Sequence, residues 1–211
     1  MKRGYFITFE GGEGAGKSLQ VEVLAGHLTE AGYDVVVTRE PGGTRIGEQI
    51  RAITHNTENV DLNPVAEAYL MAAARAQHVA QIIEPALKAG KIVISDRFVD
   101  SSIAYQGYGR KLGPEVIAGL NKLAVNGASP DITLFLRVST ELGHKRRSKS
   151  SKAADRLDLQ QTEFYSRVEK GYETLAKESP KRYVSIDASQ RIEQVAVDIW
   201  NAVLPHLPNK E

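Results

Sequence analysis

The sequence predicts an α/β fold with a parallel β-sheet, and three observations support this prediction. Short apolar segments alternate with longer amphipathic segments along the 211 residues, which is typical of strands joined by helical crossovers. Residues 131–138 (DITLFLRV) are almost continuously apolar, as expected for a strand in a sheet that helices cover on both faces. A glycine-rich loop joins the first predicted strand to the first predicted helix. Because no internal repeat or low-complexity linker interrupts the pattern, we predict one domain over residues 1–211.

The first strand and the first helix are predicted from composition and spacing. Residues Tyr5–Glu10 (YFITFE) are rich in β-branched and aromatic side chains and lead into glycines, which indicates a buried strand. After the loop, Val21, Leu24 and Leu28 recur at spacings of three and four, which indicates an amphipathic helix. Gly32 is typical of the residue that follows the end of such a helix.

The same alternation continues along the rest of the chain. Further strands are predicted over residues 34–38, 91–95, 131–138 and 182–187. Helices are predicted over residues 65–90, 114–125, 159–177 and 193–204, and another is predicted to begin near Thr140. Pro85 is expected to break or kink the longest of these helices, because proline lacks a backbone N–H group.

The bulk composition, with 42% apolar and 25% charged residues, is ordinary for a globular protein. A net charge of +1 argues against a nucleic-acid coat or a polybasic membrane anchor. The chain has no cysteine, so disulfides, thiolate metal sites and cysteine nucleophiles are excluded. No apolar run reaches the roughly 18 residues that span a bilayer, and the N-terminal run is too short for a signal peptide. We therefore expect a cytoplasmic enzyme that binds neither nucleic acid nor a membrane.

The glycine-rich loop matches a phosphate-binding pattern. Gly11, Gly16, Lys17 and Ser18 satisfy G-x-x-x-x-G-K-[ST], and the loop follows a predicted strand and opens a predicted helix. Glycines let backbone N–H groups turn towards phosphate oxygens, and the helix N-terminus adds partial positive charge. Lys17 is expected to contact the β- and γ-phosphates of a nucleoside triphosphate, and Ser18 is expected to bind Mg²⁺. The loop does not identify the phosphoryl acceptor.

The ends of two other predicted strands carry candidate phosphate-binding arginines. The third predicted strand ends in Ser95-Asp96-Arg97, where Asp96 could lie near Mg²⁺ and Arg97 could neutralise a second phosphate. The second predicted strand leads into Arg39 and the turn EPGG, at the edge where open α/β sheets bind ligands. No N-K-x-D motif for reading guanine is present in the sequence, so a GTPase is not favoured.

Residues 144–156 (HKRRSKSSKAADR) contain six lysines or arginines and a single acid. A solvated charged surface is the usual interpretation of such a run. Here serines and alanines separate the charges, and few apolar residues anchor the segment, which favours a mobile flap that closes over a triphosphate. Closure would bring cations to the transferring phosphoryl group and would exclude water.

Taken together, these motifs resemble those of the thymidylate kinases. Six motifs occur in the order of that family and at family-like spacing, over nearly the whole chain: FEGGEGAGKS, TREPGGT, ARAQH, DRF, SSIAYQG and the basic segment ending in DR. The resemblance implies a P-loop nucleoside monophosphate kinase fold, with a five-stranded parallel sheet flanked by helices and a mobile lid over about residues 143–156. It also implies transfer of the γ-phosphoryl group of ATP to dTMP, giving dTDP and ADP for dTTP synthesis, with Mg²⁺ and in a cytoplasmic homodimer.

The resemblance assigns roles to residues at the phosphate end of the site. Glu13 matches an acid near the 3′-hydroxyl of the acceptor sugar, and Arg39 and Arg97 match arginines that hold the acceptor phosphate. The loop lacks an arginine, as in bacterial-type members, which supply cations from the lid instead. The implied catalytic residues are Lys17, Glu13, Arg39, Arg97, Arg146 and Arg147. The implied ATP-binding residues are Gly11, Gly12, Glu13, Gly14, Ala15, Gly16, Lys17, Ser18 and Leu19, and the implied metal-binding residues are Ser18 and Asp96.

The resemblance also assigns residues to the nucleoside end of the site. Arg75 matches an arginine that reaches the thymine carbonyl, and Ser102 and Gln106 match residues close to the base. Tyr105 matches the tyrosine that crowds the 2′ position of the sugar and so favours deoxyribose. Met71 stands where a phenylalanine usually stacks on thymine. Because a thioether lacks the flat surface of an aromatic ring, we expect weaker base stacking.

The sequence leaves several alternatives open. The acceptor could be another nucleoside monophosphate or a deoxynucleoside, and a nucleotide-dependent switch without phosphoryl transfer is a third interpretation. The lid cation that contacts the transferring group is one of Arg146, Arg147, Lys149 and Lys152. His78 in the ARAQH motif is interpreted as a structural hydrogen-bonding residue rather than a metal ligand.

Overall fold

A computed structural model describes residues 3–149 and 154–208. Within these residues the strands are β1 (Tyr5–Glu10), β2 (Val35–Arg39), β3 (Ile92–Asp96), β4 (Ile132–Arg137) and β5 (Tyr183–Asp187). They form one parallel sheet in the order β2-β3-β1-β4-β5. The five predicted strands are confirmed to within one residue at each end. β1, β3 and β4 are mostly buried and carry continuous apolar runs, as expected for parallel strands that are covered on both faces.

Helices flank this sheet. In the described part of the chain they are α1 (Lys17–Glu30), α2 (Arg45–His55), α3 (Pro64–His78), α4 (Glu84–Lys88), α5 (Val99–Ser102), α6 (Pro114–Val125), α7 (Thr140–Ser148), α8 (Thr162–Glu178) and α9 (Ile192–Val203). A π-helical turn, Val79–Ile83, joins α3 to α4 without a gap, so the irregularity expected at Pro85 takes the form of a widened turn just before it. No helix among the described residues is both long enough and apolar enough to cross a bilayer.

Three elements of the structure are not predicted from the sequence: α2, α5 and the π-helical turn Ile103–Gly109 that continues α5. The hydroxyl of Thr44 caps α2 by accepting a hydrogen bond from the backbone N–H of Gly47 at 2.9 Å. The helix follows the EPGG turn almost directly, and a glycine and several β-branched residues lower its intrinsic helix propensity. Its packing against α3 stabilises it nonetheless.

The core lies on both faces of the sheet. On one face, Ile7 of β1 packs with Leu24 of α1 and Ile199 of α9. On the other face, Phe6 packs with Ile83 of the first π-helical turn. Because successive side chains of a strand point to opposite faces, β1 contributes to both layers. This arrangement covers the sheet on both sides and leaves its strand ends accessible.

The carboxyl ends of β1, β2 and β3 lie side by side at one edge of the sheet. Arg39 of β2 is in register with Asp96 of β3, and Asp96 is also in register with Phe9 of β1. The glycine loop follows β1 directly, the EPGG turn follows β2, and Arg97 follows Asp96 at the end of β3. The predicted phosphate-binding segments therefore meet at this edge, as expected for an open α/β sheet.

Candidate active site

The glycine loop folds around the side chain of Lys17. Gly11, Gly14 and Gly16 have φ values of 139°, 70° and 85°, and Gly16 precedes the first residue of α1. The carbonyl oxygens of Gly11 and Gly12 accept hydrogen bonds from Lys17 Nζ at 3.0 and 2.8 Å. Burial lowers the pKa of Lys17 to about 8, so the ammonium form still predominates at neutral pH. The loop thus holds a buried cation at a helix N-terminus, which suits it to bind phosphate.

The first turn of α7 packs directly against this loop. A Cβ atom on Gly14 would lie 2.1 Å from the carbonyl oxygen of Gly143, and a Cβ atom on Gly143 would lie 2.4 Å from the carbonyl oxygen of Glu13. Both positions therefore require glycine for the two backbones to approach. Of the other residues assigned to the loop, Ala15 is buried in the core and Leu19 is exposed on α1.

Ser18 and Asp96 lie together at the start of α1 and the end of β3. The Ser18 hydroxyl donates a hydrogen bond to Asp96 Oδ2 at 2.7 Å. A hydroxyl and a carboxylate are the hard oxygen ligands that Mg²⁺ prefers, and Mg²⁺ is usually held by one or two protein groups together with substrate phosphates. No group of three or more histidine and acidic side chains within residues 3–149 and 154–208 could hold a metal by itself. The residues present therefore fit a Mg²⁺ ion that is bound jointly with a nucleotide.

Arg97 and Glu13 form an ion pair beside the loop. Arg97 Nη2 lies 2.6 Å from Glu13 Oε1, and the Tyr105 hydroxyl donates to the same oxygen at 3.0 Å. Burial alone would raise the pKa of Glu13, but the charges of Arg97 and Lys17 outweigh it and lower the pKa to about 2. The pair therefore stays charged at neutral pH. Three residues that the sequence assigns to the acceptor are brought into contact here.

A buried carboxylate lies behind Arg97. Glu10 accepts hydrogen bonds from the Phe98 backbone N–H at 2.8 Å and from the hydroxyls of Ser101 and Tyr172 at 2.6 and 3.0 Å. Each of these hydroxyls also accepts a hydrogen bond from Arg97 Nη1 at 3.1 Å. Arg97 has a φ of 74°, which is unusual for a residue with a side chain and needs support from its surroundings. The Glu10 network supplies that support from both the backbone and the guanidinium group.

Arg39 and Arg51 differ in their relation to the site. Arg39 lies at the end of β2 as predicted, but Arg39 Nη2 donates to both carboxylate oxygens of Glu48 at 2.9 and 2.8 Å. Arg51 of α2 lines the same cavity as Glu13 and Arg97. Arg51 is not among the site residues predicted from the sequence, because α2 is not predicted there. The amphipathic pattern of residues 45–55 is the signal that could have revealed it.

The residues assigned to the base lie in the wall of that cavity. They are Met71, Arg75, Ser102 and Gln106, and Tyr105 joins them to the Glu13 group. Arg75 is buried, and each of its three nitrogens donates a hydrogen bond. Nε donates to Glu40 at 2.7 Å, Nη1 donates to Ser102 Oγ at 3.0 Å and to Asn121 Oδ1, and Nη2 donates to the Phe98 carbonyl at 3.1 Å. The guanidinium plane is thus fixed within the cavity wall.

His78 supports the acidic partner of Arg75. Its Nδ1 lies 2.9 Å from Glu40 Oε1, and its Nε2 lies 2.6 Å from Thr38 Oγ1. The interpretation of His78 as a structural hydrogen-bonding residue is confirmed. It links the end of β2 to α3 and leaves Glu40 Oε2 directed at Arg75.

Gln106 and the basic segment converge on one buried acid, Glu67. Gln106 Nε2 donates to Glu67 Oε1 at 2.7 Å. Arg110 and Arg156 donate to Glu67 Oε2. Arg156, the last residue of the predicted lid, also donates from Nε to the carbonyl oxygen of Thr54 at 2.8 Å. This end of the lid is therefore anchored to α2 and α3.

The two lid arginines assigned to catalysis make different contacts. Arg146 donates to the carbonyl oxygens of Ala188 and Ser189, at 2.6 and 3.3 Å, in the loop after β5. Arg147 donates to Asp158 at 3.1 and 2.6 Å, and its charge also contributes to the low pKa of Glu13. Residues 150–153 of the predicted lid, which include the candidate Lys152, lie outside the described residues.

Comparisons with known proteins agree on one family. The family model described as thymidylate kinase matches residues 9–199. The thymidylate kinase of Geotalea uraniireducens is 47% identical over 97% of this chain and 98% of its own length. That of Pelotomaculum thermopropionicum is 49% identical over 95% of this chain and 93% of its own length. The crystal structure of thymidylate kinase from Ehrlichia chaffeensis has a TM-score of 0.78 and 35% sequence identity, covering 96% of this chain and 99% of that chain.

Proposed function

The chain belongs to the thymidylate kinase family, and from this premise we propose how its side chains act on the two substrates. The enzyme is an ATP-dependent nucleoside monophosphate kinase that transfers a phosphoryl group from ATP to dTMP. One observation carries the assignment of roles. The carbonyl oxygen of Gly11 accepts hydrogen bonds from both Lys17 Nζ, at 3.0 Å, and Arg97 Nη1, at 3.1 Å. Lys17, which we assign to the ATP phosphates, and Arg97, which we assign to the dTMP phosphate, are therefore neighbours.

In the proposed reaction, an oxygen of the dTMP phosphate attacks the γ-phosphorus of ATP. A new P–O bond forms while the bond to the β,γ-bridging oxygen breaks, and ADP leaves with that electron pair. Lys17 and the backbone N–H groups of the loop hold the ATP phosphates, and Arg97 holds the attacking phosphate. Because a phosphate oxygen is already an anion, no separate general base is required, and positioning and charge stabilisation supply the catalysis.

Glu13 keeps Arg97 and Tyr105 in place during this reaction. It accepts hydrogen bonds from both residues through one oxygen, and its low pKa keeps it an acceptor throughout the physiological range. We assign the second oxygen of this carboxylate to the region of the 3′-hydroxyl of the acceptor sugar. Tyr105, fixed by Glu13, is assigned to crowd the 2′ position and so to favour deoxyribose.

Ser18 and Asp96 are the residues that would hold Mg²⁺. When bound, the ion would neutralise charge on the phosphates of ATP. Their hydrogen bond keeps the two oxygens close to the loop that receives these phosphates. Asp96 directly precedes Arg97, so one strand end serves both the metal and the acceptor.

The acceptor phosphate needs more than one cation, and we assign Arg51 as the second. Arg51 lines the acceptor cavity with Arg97, and its Nη1 donates to the carbonyl oxygen of Pro41 at 3.0 Å. Arg39 stays a prediction, because its ion pair with Glu48 has to rearrange before it can contact a phosphate. Arg147 is the lid cation that we assign to the transferring phosphoryl group, since its charge acts on Glu13.

The nucleoside end of dTMP is assigned to the group around Arg75. Its fixed cation and the Ser102 hydroxyl suit the polar edge of thymine, and Met71 packs against the ring. Gln106 faces the same edge. These assignments follow the family resemblance and are supported by the shared cavity wall.

We assign the dimer interface to the outer face of α2, α3 and α6. α3 contacts both of the other helices, and large apolar side chains on all three are exposed: Ile46, Ile53, Val65, Tyr69, Val116 and Leu123. Within each helix these residues are four or seven positions apart, so they form a stripe on one face. We propose that a second copy of this chain covers this face.

The resemblance further supports a single kinase domain, with its lid near residues 143–156, working in the cytoplasm.

An acceptor-dependent assay tests the proposed activity directly. ADP and dTDP should appear together when the protein is given ATP, Mg²⁺ and dTMP, and little ADP should form when dTMP is left out. ADP formation that does not depend on dTMP would indicate an ATPase and contradict the proposal. A stronger preference for thymidine over dTMP would instead indicate a deoxynucleoside kinase.

A further inference from the structure

We propose that Glu67 is a positioning residue that fixes the side-chain amide of Gln106 and thereby makes the base site select pyrimidines that carry a ring N–H group. Glu67 itself does not touch the substrate in this proposal. The inference rests on the proposed function, since it takes the cavity lined by Gln106 as the site of the acceptor base. It adds a source of selectivity among pyrimidine monophosphates.

Glu67 is a fully buried carboxylate on α3 with donors from three separate parts of the chain. Gln106 Nε2 reaches its Oε1 at 2.7 Å, and Arg110 Nη2 reaches its Oε2 at 3.1 Å. Arg156 Nη2 donates to Oε2 as well. Burial would raise the pKa of Glu67, but the Arg110 charge and the hydrogen bonds from Gln106 and Arg156 outweigh it and lower the pKa. The group is therefore an anion at neutral pH and can only accept hydrogen bonds.

An anionic neighbour permits only one orientation of the Gln106 amide. If the amide were flipped, Gln106 Oε1 would face Glu67 Oε1 at hydrogen-bond distance, and two acceptors would repel each other without a proton between them. Here the charge of Glu67 decides the orientation, and Arg110 and Arg156 keep that charge in place.

This orientation leaves the amide oxygen of Gln106 directed at the cavity. Among the described residues, no group donates a hydrogen bond to Gln106 Oε1. In the same residues, the buried side-chain atoms without a hydrogen-bond partner are Gln20 Oε1 and the Tyr183 hydroxyl oxygen. Gln106 Oε1 is not one of them, so this oxygen is not completely buried. Because Gln106 lines the acceptor cavity together with Arg75 and Ser102, its unpaired oxygen is available from the cavity. The site therefore presents a fixed acceptor beside a fixed cation.

The chemistry of the pyrimidines turns this fixed acceptor into a selection. Thymine and uracil carry a proton on N3 between two carbonyl groups, whereas N3 of cytosine is an unprotonated acceptor. Gln106 Oε1 can accept a hydrogen bond from N3–H of thymine or uracil, whereas with cytosine two hydrogen-bond acceptors would face each other. Sites built to pair with a substrate N–H strongly reject analogues that lack it. Glu67 contributes to this discrimination indirectly, because it prevents the Gln106 amide from turning its NH₂ group to the base.

The test compares kcat/KM for dTMP, dUMP and dCMP in the wild type and in Glu67→Gln. The substitution removes the charge and lets the Gln106 amide turn. We expect the dTMP-to-dCMP ratio to fall by about tenfold or more. The dTMP-to-dUMP ratio should stay within about twofold, because both bases carry the N3 proton. An unchanged dTMP-to-dCMP ratio in a folded Glu67→Gln protein would overturn the inference.

Two control variants separate positioning from a general loss of structure. Asp100→Asn disrupts another buried ion pair, in which Asp100 receives hydrogen bonds from Arg182 at 2.6 and 3.1 Å. It should lower Tm without changing the dTMP-to-dCMP ratio. Glu67→Asp keeps the anionic acceptor and should retain most of the preference. An equal loss of preference in Asp100→Asn would assign Glu67 a purely structural role and refute the proposal.

A measurement on the wild type covers the case in which Glu67→Gln does not fold. In nitrogen-15 NMR spectra, the side-chain NH₂ protons of Gln106 should exchange slowly with solvent, both without and with dTMP, because Glu67 holds them. Rapid exchange in either state would show that the amide is not held and would overturn the inference. Failure of the proposed function is distinguishable, because wild-type protein would then not phosphorylate dTMP at all.

Discussion

Two glutamates three positions apart, Glu10 and Glu13, have carboxyl groups that ionise in different pH ranges. Burial, with a further contribution from the charge of Asp100, raises the pKa of Glu10 to about 7. Glu13 is held near a pKa of 2, because Arg97 and Lys17 outweigh the effect of burial. At this scale the partner of a carboxyl group, rather than its position in the chain, decides its charge. The sequence shows both acids but not the contacts that make their pKa values differ.

The opposite shifts predict opposite effects on stability. Between about pH 4.5 and pH 7, folded Glu10 binds a proton that the unfolded chain releases, so its ionisation lowers the free energy of unfolding as pH rises. Glu13 stabilises the fold above about pH 4.5, and this contribution is lost as pH falls towards 2. Urea unfolding over a pH series should therefore show that Glu10→Gln gains stability relative to wild type as pH rises through the first window. Parallel wild-type and variant curves would contradict the assignment.

Lys17 and Arg97 are expected to act mainly on the rate of phosphoryl transfer. Removing a positioned charge from such a site commonly costs on the order of 10² to 10³ in rate, so Lys17→Ala and Arg97→Ala should each lower kcat/KM by at least that factor. Lys88→Ala, which removes an exposed lysine paired with Glu84, is the matched control and should leave kcat/KM unchanged. Full activity in both active-site variants would refute the site.

Met71 is expected to limit binding of the base. It is 7% exposed in the acceptor cavity wall, and an aromatic ring there could stack on thymine. Stacking of this kind contributes about 0.5–1.5 kcal/mol beyond burial, so Met71→Phe should lower the KM for dTMP several-fold with little change in kcat. Met71→Leu, which keeps the volume without the ring, should not lower KM. No improvement in the Phe variant would refute the hypothesis of weakened stacking.

At the scale of elements, the strands could be predicted and some of the helices could not. The strands β1, β3 and β4 can be recognised in the sequence because they are buried and consist of apolar runs, and the less buried β2 and β5 are short runs rich in β-branched residues. α2 is stabilised by its contacts with α3 more than by its own sequence, so Arg51 was missed with it. Glu67 could not have been found either, because its partners Gln106, Arg110 and Arg156 lie 39 to 89 positions away. Contacts at that distance are set by the fold, and no local pattern records them.

The contact of α7 with the glycine loop is expected to position Arg147 for catalysis. Gly143→Ala places a methyl group against the carbonyl oxygen of Glu13, so α7 has to move away from the loop and carry Arg147 with it. We expect a lower kcat with the fold retained. Gly26→Ala in α1 is the control, because a Cβ atom there meets nothing within 4 Å, and it should raise the free energy of unfolding by about 0.5–1 kcal/mol. Wild-type kcat in Gly143→Ala would show that this contact does not position the predicted lid.

At the scale of the whole molecule, the exposed apolar face of α2, α3 and α6 predicts an association between two copies. Tyr69 and Leu123 are 61% and 88% exposed, so each of them has a large side-chain surface to bury in the interface. The double variant Tyr69→Glu/Leu123→Glu should sediment as a monomer at concentrations where the wild type is a dimer. Val197→Glu places the same charge on an exposed apolar residue of α9 and should remain dimeric. A wild-type protein that sediments as a monomer would refute the proposed homodimer.

The pairing of β1 with β3 has a consequence for what this scaffold can be turned into. The loop to which we assign the ATP phosphates follows β1, and Arg97, to which we assign the acceptor phosphate, directly follows β3. Neighbouring strands lie about 4.8 Å apart in every sheet, so mutation cannot change the distance between the ends of β1 and β3. Adapting the enzyme to an acceptor one phosphate longer would therefore require new lengths in the loops beyond the strand ends. The spacing of the strands themselves offers no adjustable variable for evolution or for design.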